Sequence, residues 1–367
     1  MVSLPLPQPF KGIYALFFAL KLPFQIASLL IYYVPVSFRP IPQWSLRTCV
    51  VTSALRSFFS YIEITGTQGS QPPTPEKAKE RLVIAEPAED DLYSSVLSST
   101  AIKPVSLRGL WDSNPSSKGD VDKPKVVLHF PGGGFTYAYD AYESSQGVSQ
   151  IMERMRGTRT LFAQYRLATA SNGRFPAAIQ DALTFYNHVL KSGVDPKNII
   201  FLGDSAGGHV VLALLRHLEC SQELPLPAGV MLWSPWVNIT DNVIGQYSDS
   251  SNLGIDYVVP RILEVGAKRY IPEGGITPGI EPFLSPLRHP FKTSVPLFVH
   301  AGTAELFYDE IKSFADAMSS LQGNTVRFHS TAFAPHDILL SHKAVGFTAQ
   351  AIAAMDDAAN FFSGEAN

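Results

Sequence analysis

The sequence predicts an α/β protein in which helices cover both faces of a mostly parallel sheet. Short apolar, β-branched runs alternate with runs of helical spacing over most of the 367 residues. This alternation is the pattern of parallel strands joined by helices. In addition, the apolar run at residues 198–202 passes directly into the small-residue turn at residues 203–207 and then into a helical run. A short β-branched run of this kind predicts a strand buried within the sheet.

The composition allows a large core and excludes several classes of function. Apolar residues make up 46% of the chain and charged residues 17%, and the net charge is −3. These values argue against disorder and leave no basic surface for nucleic acid. Cys49 and Cys220 lie far apart without CxxC spacing, so we expect no disulfide framework and a reducing, intracellular compartment. The histidines form no HExxH pair, and we expect neither a metal nor another cofactor.

The first segment, residues 1–65, is unusually apolar. From residue 12 to residue 38 it consists largely of Phe, Leu, Ile, Tyr and Val, interrupted by residues such as Lys21 and Pro23. Its longest charge-free piece, residues 22–38, is at the short limit for a membrane span, and no signal-peptide cleavage site follows it. Two interpretations stay open. The segment either packs as a helical cap over the sheet edge or associates with a membrane, such as that of the endoplasmic reticulum, from the cytoplasm.

Residues 66–367 are predicted to form one α/β domain. Polar, proline-rich residues 66–80 and the Ser-, Gly- and Asp-rich residues 114–125 predict loops, and residues 238–284, which lack regular alternation, predict an insertion. Strands are predicted within residues 81–87, 102–111, 125–130, 160–167, 198–202, 229–236, 296–305 and 325–333. Helices are predicted at residues 175–191, 210–219 and 309–321, with one closing helix that runs to residue 362.

The turn at residues 203–207 has the pattern Gly-x-Ser-x-Gly, with Ser205 at its centre. Small residues on either side let the backbone bend sharply and leave Ser205 Oγ projecting at the carboxyl edge of the sheet. The amide of Ala206, at the helix N-terminus, is placed to donate to a developing oxyanion. The alternative is a phosphate-binding turn, but no Lys-Ser/Thr ending supports it. Ser205 is therefore the candidate nucleophile.

The strand at residues 125–130 ends in Pro131 and three consecutive glycines, residues 132–134. Such a run costs backbone entropy, so the fold must need its conformational freedom. One such need is a loop whose amides point to a site where negative charge develops. A merely flexible loop is the alternative, and the serine turn downstream favours the first interpretation.

A serine hydroxyl needs a base to take its proton and a carboxylate to orient that base. Glu305 directly follows a late predicted strand, whereas the competing Asp309 falls in the next predicted helix. His336 lies in the loop after the last strand, where its ring can reach the sheet edge. Glu305 and His336 are therefore the candidate acid and base. The other candidate histidines fall within strands or helices or lack a supporting position: His188, His209, His217, His289, His300, His329 and His342.

Several motifs in the right order resemble the hormone-sensitive-lipase-like branch of the α/β-hydrolases, in its divergent fungal form. They are GDSAGG at the serine turn, YRLA followed by FPAAIQDAL, and later FLSPL, AELFYDE and PHDIL. The resemblance covers roughly residue 126 to the C-terminus. It implies an α/β-hydrolase fold with a mostly parallel, eight-stranded sheet. It also implies a cap formed by the N-terminal helices and the insertion at residues 238–284.

The resemblance further implies a serine carboxylesterase of the lipase-like type. Its substrate is expected to be a hydrophobic acyl or acetyl ester, such as a product of secondary metabolism. Ser205 is the implied nucleophile, His336 the base and Glu305 the acid. The amides of Gly133, Gly134 and Ala206 form the implied oxyanion hole.

One departure from the family pattern concerns the glycine loop. The family usually has His-Gly-Gly-Gly, but here Pro131 takes the place of that histidine, and His129 lies two residues earlier. Because the usual histidine braces the loop, the geometry of this loop stays open. The departure motivates an alternative, a cyclase or condensation catalyst that uses His336 as base and holds an enolate in the oxyanion hole. A non-catalytic receptor is a third hypothesis, although such relatives lose the histidine that is present here.

Overall fold

The computed structural model describes residues 6–66, 81–112, 125–139, 141–155 and 159–363, without the side chains of residues 141–146. The predicted loops at residues 66–80 and 114–125 therefore lie outside the described residues, apart from Gly66 and Lys125.

Eight strands of the described chain form one sheet, and each overlaps a predicted strand. The central strands are buried along their whole length, as expected for a parallel sheet with both faces covered. The strands are β1 (Leu82–Ala85), β2 (Leu107–Trp111), β3 (Val126–Phe130), β4 (Arg159–Ala163), β5 (Ile199–Asp204), β6 (Gly229–Trp233), β7 (Leu297–Gly302) and β8 (Val326–Thr331).

The order of the strands brings four chain segments to one edge of the sheet. The order is β1-β2-β4-β3-β5-β6-β7-β8, with β2 antiparallel to both of its neighbours and all later pairs parallel. The chain runs from β3 to β4 on one side and then crosses to β5 on the other, which makes a topological switch point beside β3. The segments that follow β3, β5, β7 and β8 therefore converge at the carboxyl edge of the sheet. This edge is where ligands bind in such folds.

The helices differ from the predictions in three regions. Helix α3, between β3 and β4, and helices α6, α7 and α8, within the insertion, were not predicted. The predicted closing helix is two helices, because Gly346 takes a left-handed φ of 84° and ends the first one. The helices are α1 (Phe10–Tyr32), α2 (Leu46–Thr65), α3 (Ala141–Arg154), α4 (Ala177–Lys191), α5 (Ala206–Ser221), α6 (Val243–Gln246), α7 (Pro260–Tyr270), α8 (Glu281–Leu284), α9 (Tyr308–Ser320), α10 (Ile338–Val345) and α11 (Thr348–Ser363).

The two N-terminal helices differ in how they meet the rest of the protein. Helix α1 has no buried residue, and its rings contact α2 through the stacked pair Phe18–Tyr61. Helix α2 and the residues just before it are tied to the C-terminal part of the chain. Trp44 Nε1 donates to the Phe333 carbonyl at 2.7 Å, and Thr48 Oγ1 donates to the Val345 carbonyl at 2.9 Å. Helix α2 is therefore integrated into the α/β body, whereas α1 lies on its outside.

A buried ion pair joins the segment after β4 to helix α4. One carboxylate oxygen of Asp181 accepts from Arg166 Nη2 at 2.7 Å, and the other accepts from the Arg166 amide at 2.7 Å. The side chains are 9% and 0% exposed, so each charge depends on the other for its solvation. This pair therefore joins the YRLA motif to the QDAL motif in the folded chain.

We predict that Asp181→Ala lowers the free energy of unfolding by about 3–5 kcal/mol, because it leaves the Arg166 guanidinium buried without a counter-charge. The matched control is Asp316→Ala in the exposed Lys312–Asp316 pair, whose side chains are 50% and 63% exposed. This control is expected to cost less than about 1 kcal/mol. Urea unfolding of both variants measures the difference, and equal small losses would contradict the prediction.

Candidate active site

Ser205 occupies the sharp turn between β5 and α5. Its φ of 50° and ψ of −119° are rare for a residue with a side chain. The turn is held by two hydrogen bonds at 2.9 Å, from the Ser205 amide to the Trp233 carbonyl and from the Trp236 amide to the Ser205 carbonyl. A Cβ atom at Gly203 would overlap the backbone of Gly207, and one at Gly207 would overlap the backbone at the end of β3. Both glycines are therefore required for the turn to close.

The glycine loop after β3 is braced in spite of Pro131. One oxygen of the buried Asp204 carboxylate accepts from the Gly132 amide at 2.8 Å, and the other binds His129 Nε2 at 2.7 Å. The Tyr165 hydroxyl donates to the Pro131 carbonyl at 2.8 Å. His129, two residues before the position usual in the family, thus acts on the loop through Asp204. Asp204 is a scaffold residue of the turn and not a partner of the histidine in the last loop.

Three backbone amides remain available to a ligand at this edge. Gly133 and Gly134 have left-handed φ angles of 112° and 58°, and Ala206 is the first residue of helix α5. Within the described part of the chain, the amides of these three residues donate to no protein acceptor, whereas that of Gly132 is used by Asp204. Unsatisfied amides of this kind stabilise an oxyanion when they point to the atom where the charge develops.

Glu305 and His336 form a buried pair. Glu305 Oε2 accepts from His336 Nδ1 at 2.8 Å, and Glu305 Oε1 accepts from the Gly302 amide at 2.8 Å. Because a carboxylate only accepts, the proton of the neutral ring lies on Nδ1 and leaves Nε2 as the basic nitrogen. Asp309, the competing acid, lies exposed on helix α9. The structure therefore places Glu305, and not Asp309, against His336.

The carboxylates around His336 favour its protonated form. Burial alone lowers the pKa of the imidazole, but the hydrogen bond and charge of Glu305, with the charges of Asp256 and Asp337, outweigh it and raise that pKa to about 9. Burial raises the pKa of Glu305, and His336 partly offsets this effect. An imidazolium that forms at His336 is thus stabilised by its surroundings, which is what a general base of this type requires.

Two neighbours of the pair were not among the predicted site residues. The Ser234 hydroxyl accepts from the Asp337 amide at 2.9 Å, and its hydrogen bond to Glu305 lowers the pKa of that carboxyl. Asp256, in the insertion, accepts from the His336 amide at 3.1 Å. The serine lies in the Trp-Ser-Pro motif and could have been noticed there, whereas Asp256 lies in a stretch without periodicity.

Several other histidines are hydrogen-bonded away from the Glu305–His336 pair. No group of three or more His, Cys, Asp or Glu side chains among the described residues could hold a metal ion. His209 bonds the Trp236 carbonyl, His300 bonds Thr331 and His329 bonds Asp357.

Comparison with known proteins identifies the family. A family model described as alpha/beta hydrolase fold matches residues 127–340. The chain belongs to the α/β hydrolase fold family. Among solved structures it resembles an esterase of the bacterial hormone-sensitive lipase family, with a TM-score of 0.60 and 21% identity over 94% of this chain and 97% of that one. The predicted fold and the predicted resemblance to the hormone-sensitive-lipase-like branch are confirmed.

Relatives of this α/β hydrolase include an esterase and acetyl hydrolases. An esterase of Acinetobacter venetianus is 27% identical over 59% of this chain and 67% of its own length. An acetyl-hydrolase of Streptomyces hygroscopicus is 27% identical over 53% and 61%, and a putative steryl acetyl hydrolase of Schizosaccharomyces pombe is 29% identical over 40% and 39%. The chain thus spans between two fifths and two thirds of these relatives. They support the predicted enzyme class, a carboxylic-ester hydrolase.

We predict that the glycine loop tolerates an alanine at Gly134 but not at Gly133. In Gly133→Ala the new methyl group would overlap the Tyr137 carbonyl, whereas at Gly134 it would meet no atom within 4 Å. Displacing the first amide is expected to lower kcat/KM by roughly 10²–10³-fold, as when an oxyanion donor is removed. Gly134→Ala costs only the penalty of a left-handed backbone for alanine, about 1–2 kcal/mol. It is expected to lower kcat/KM by about 10-fold or less. Turnover of p-nitrophenyl acetate measures both, and equal losses would contradict the loop geometry.

Proposed function

We propose that this α/β hydrolase is a serine carboxylesterase that acts through Ser205, His336 and Glu305. One observation carries the proposal. The serine turn after β5, the buried pair from the segments after β7 and β8 and the three amides without protein acceptors belong to the same sheet edge. Nucleophile, base, orienting acid and oxyanion donors are the parts that acyl transfer requires.

In the acylation step, Ser205 Oγ attacks the ester carbonyl carbon while His336 Nε2 takes the hydroxyl proton. The carbonyl oxygen becomes an oxyanion that the amides of Gly133, Gly134 and Ala206 stabilise. When the C–O bond to the alcohol breaks, His336 returns the proton to the leaving alkoxide. The products are an alcohol and an ester of Ser205.

In the deacylation step, water takes the place of the alcohol. His336 removes a proton from the water, whose oxygen attacks the acyl carbon, and the same amides hold the second oxyanion. The proton then passes to Ser205 Oγ as its bond to the acyl carbon breaks. Glu305 keeps the imidazole oriented and stays ionised throughout.

The proposed substrate is a hydrophobic ester with an acetyl or other acyl group, such as a product of secondary metabolism. The names of the relatives from Streptomyces and Schizosaccharomyces, an acetyl-hydrolase and a putative steryl acetyl hydrolase, support an acetyl group on an apolar alcohol. The exposed apolar helix α1 supports a substrate that partitions into lipid.

The bracing of the glycine loop bears on the condensation alternative. That alternative was motivated by Pro131, but Asp204, His129 and Tyr165 supply the support that the missing histidine would give. The loop therefore offers no reason to prefer an enolate over a tetrahedral oxyanion.

We predict that a fluorophosphonate probe labels Ser205 and that the wild-type protein turns over p-nitrophenyl esters. Ser205→Ala is expected to abolish labelling, and either Ser205→Ala or His336→Ala to lower kcat by roughly 10⁴–10⁶-fold, because the nucleophile and its base act as a unit. Mass spectrometry of the labelled peptide and initial rates with acetate to decanoate esters measure these effects. Absence of labelling in a folded wild-type protein would favour the condensation catalyst or the receptor.

We also propose that helix α1 and the residues after it contact a lipid bilayer. Helix α1 has 23 residues, and its most apolar 18-residue window has a mean hydropathy of 1.7 and no buried residue. Its length, about 35 Å at the usual rise per residue, matches the roughly 30 Å hydrocarbon core of a bilayer. The large exposed apolar side chains along this segment are Phe10, Ile13, Leu16, Phe17, Leu20, Phe24, Leu30, Ile31, Tyr32, Val34, Val36 and Phe38.

We predict that the full chain floats with phosphatidylcholine vesicles in a density gradient. The double variant Leu20→Asp/Phe24→Asp is expected to stay in the soluble fraction, since an aspartate within the apolar core costs about 2.5–3.5 kcal/mol. The matched control is Ile244→Asp, an equally simple change at a side chain 45% exposed on α6, which is expected to float like the wild type. Flotation of the double variant to the same extent would contradict the proposal.

A further inference from the structure

Asp256 is a buried carboxylate that the proposed mechanism does not use. It lies in the insertion, with an exposed fraction of 0%, and both of its oxygens are engaged by backbone amides. Oδ1 accepts from the Tyr257 amide at 2.7 Å and from the His336 amide at 3.1 Å, and Oδ2 accepts from the Leu306 amide at 2.9 Å. A buried charge is costly unless it is paired or fully hydrogen-bonded, and here the amides provide the bonds.

Two of these three amides belong to the loops that carry Glu305 and His336. Leu306 directly follows the acid Glu305, and the other amide is that of the base, His336, itself. A single carboxylate from a third segment therefore binds the backbone of both loops at once. An asparagine at this position would offer only one acceptor oxygen and would add an NH₂ group that cannot face an amide.

The insertion segment that carries Asp256 is in turn clamped by helix α2. The Arg56 guanidinium donates to the carbonyls of Ile255 and Asp256, the latter at 2.8 Å. The ring of Phe59 stacks on that of Tyr257 with centroids 5.6 Å apart, and the Tyr257 hydroxyl donates to the His336 carbonyl at 2.7 Å. Residues 255–257 are thus held between an N-terminal helix and the catalytic histidine.

We propose that Asp256 is a positioning residue for ester hydrolysis, which sets the spacing of Glu305 and His336 and places a second negative charge beside the histidine. The inference rests on the proposed function. A fixed carboxylate favours the imidazolium over the neutral ring, so it acts on the base through charge as well as through geometry. The charged groups that face this site are Glu305 from the loop after β7, Asp337 beside the histidine and Arg56 from α2.

The test is Asp256→Asn, studied through the pH dependence of kcat/KM for p-nitrophenyl acetate. We expect kcat to fall by roughly 10²-fold with little change in KM, since a small misplacement of catalytic groups has such a cost. We also expect the inflection of the acid limb to move to lower pH by roughly one unit, because one carboxylate near His336 is lost. Asp256→Glu keeps the charge and is expected to retain the inflection of the wild type.

The matched control is Glu310→Gln. Glu310 is a half-buried carboxylate with three hydrogen bonds, from Asn238, Gln246 and Tyr247 at 2.8–2.9 Å. The charges that raise the pKa of His336 are those of Glu305, Asp256 and Asp337. The Glu310→Gln variant is expected to lower the urea midpoint of unfolding without moving the acid limb of the pH profile of kcat/KM. An acid limb in Asp256→Asn that coincides with those of the wild type and Glu310→Gln would overturn the positioning role.

Two further outcomes are covered: an Asp256→Asn variant that does not fold, and a wild-type protein that has no esterase activity. If Asp256→Asn does not fold, Arg56→Met replaces it, because this change loosens the carboxylate's support and leaves the carboxylate present. It is expected to lower kcat several-fold at unchanged KM, and a wild-type kcat would overturn the inference. A folded wild-type protein that neither labels with fluorophosphonate nor turns over the ester would instead refute the proposed function, and with it the positioning role of Asp256.

Discussion

Buried carboxylates that bind backbone amides hold the active-site loops of this α/β hydrolase in place. Asp204 binds the Gly132 amide, Glu305 binds the Gly302 amide, and Asp256 binds the amides of two loops. A carboxylate removed from water must recover its solvation from such donors. Each loop is therefore held at the amide that a buried carboxylate binds. The distances between the loops of the site follow from these hydrogen bonds.

The glycine loop is supported by a histidine that stands at a different sequence position from the one usual in the family. Pro131 cannot act as the histidine that usually stands at this point, since it has no side-chain donor and no amide proton. His129 instead lies inside β3 and acts through Asp204, the residue just before Ser205. The loop and the turn are thereby linked by one carboxylate, and the geometry of the donors is tied to that of Ser205.

The two helices of the N-terminal segment differ in their contacts with the rest of the protein. Helix α2 contacts the insertion and the loop that carries His336, through Arg56 and through Trp44 just before the helix. It is part of the frame around the site. Helix α1 buries none of its residues, and its apolar surface faces outward. One helix thus supports the site, while the other offers the surface that we propose for lipid.

The sequence by itself determined the class of the fold, the eight strands and the residues brought together at the sheet edge, because each has a local signature. A buried strand needs a β-branched run, and a sharp turn needs small residues. Only the tertiary structure decided what holds these parts together. Asp256 meets His336 across 80 positions, and Arg56 meets the Asp256 carbonyl across 200. Such contacts depend on the packing of distant segments, and a lone polar residue in an aperiodic stretch carries no local signal of them.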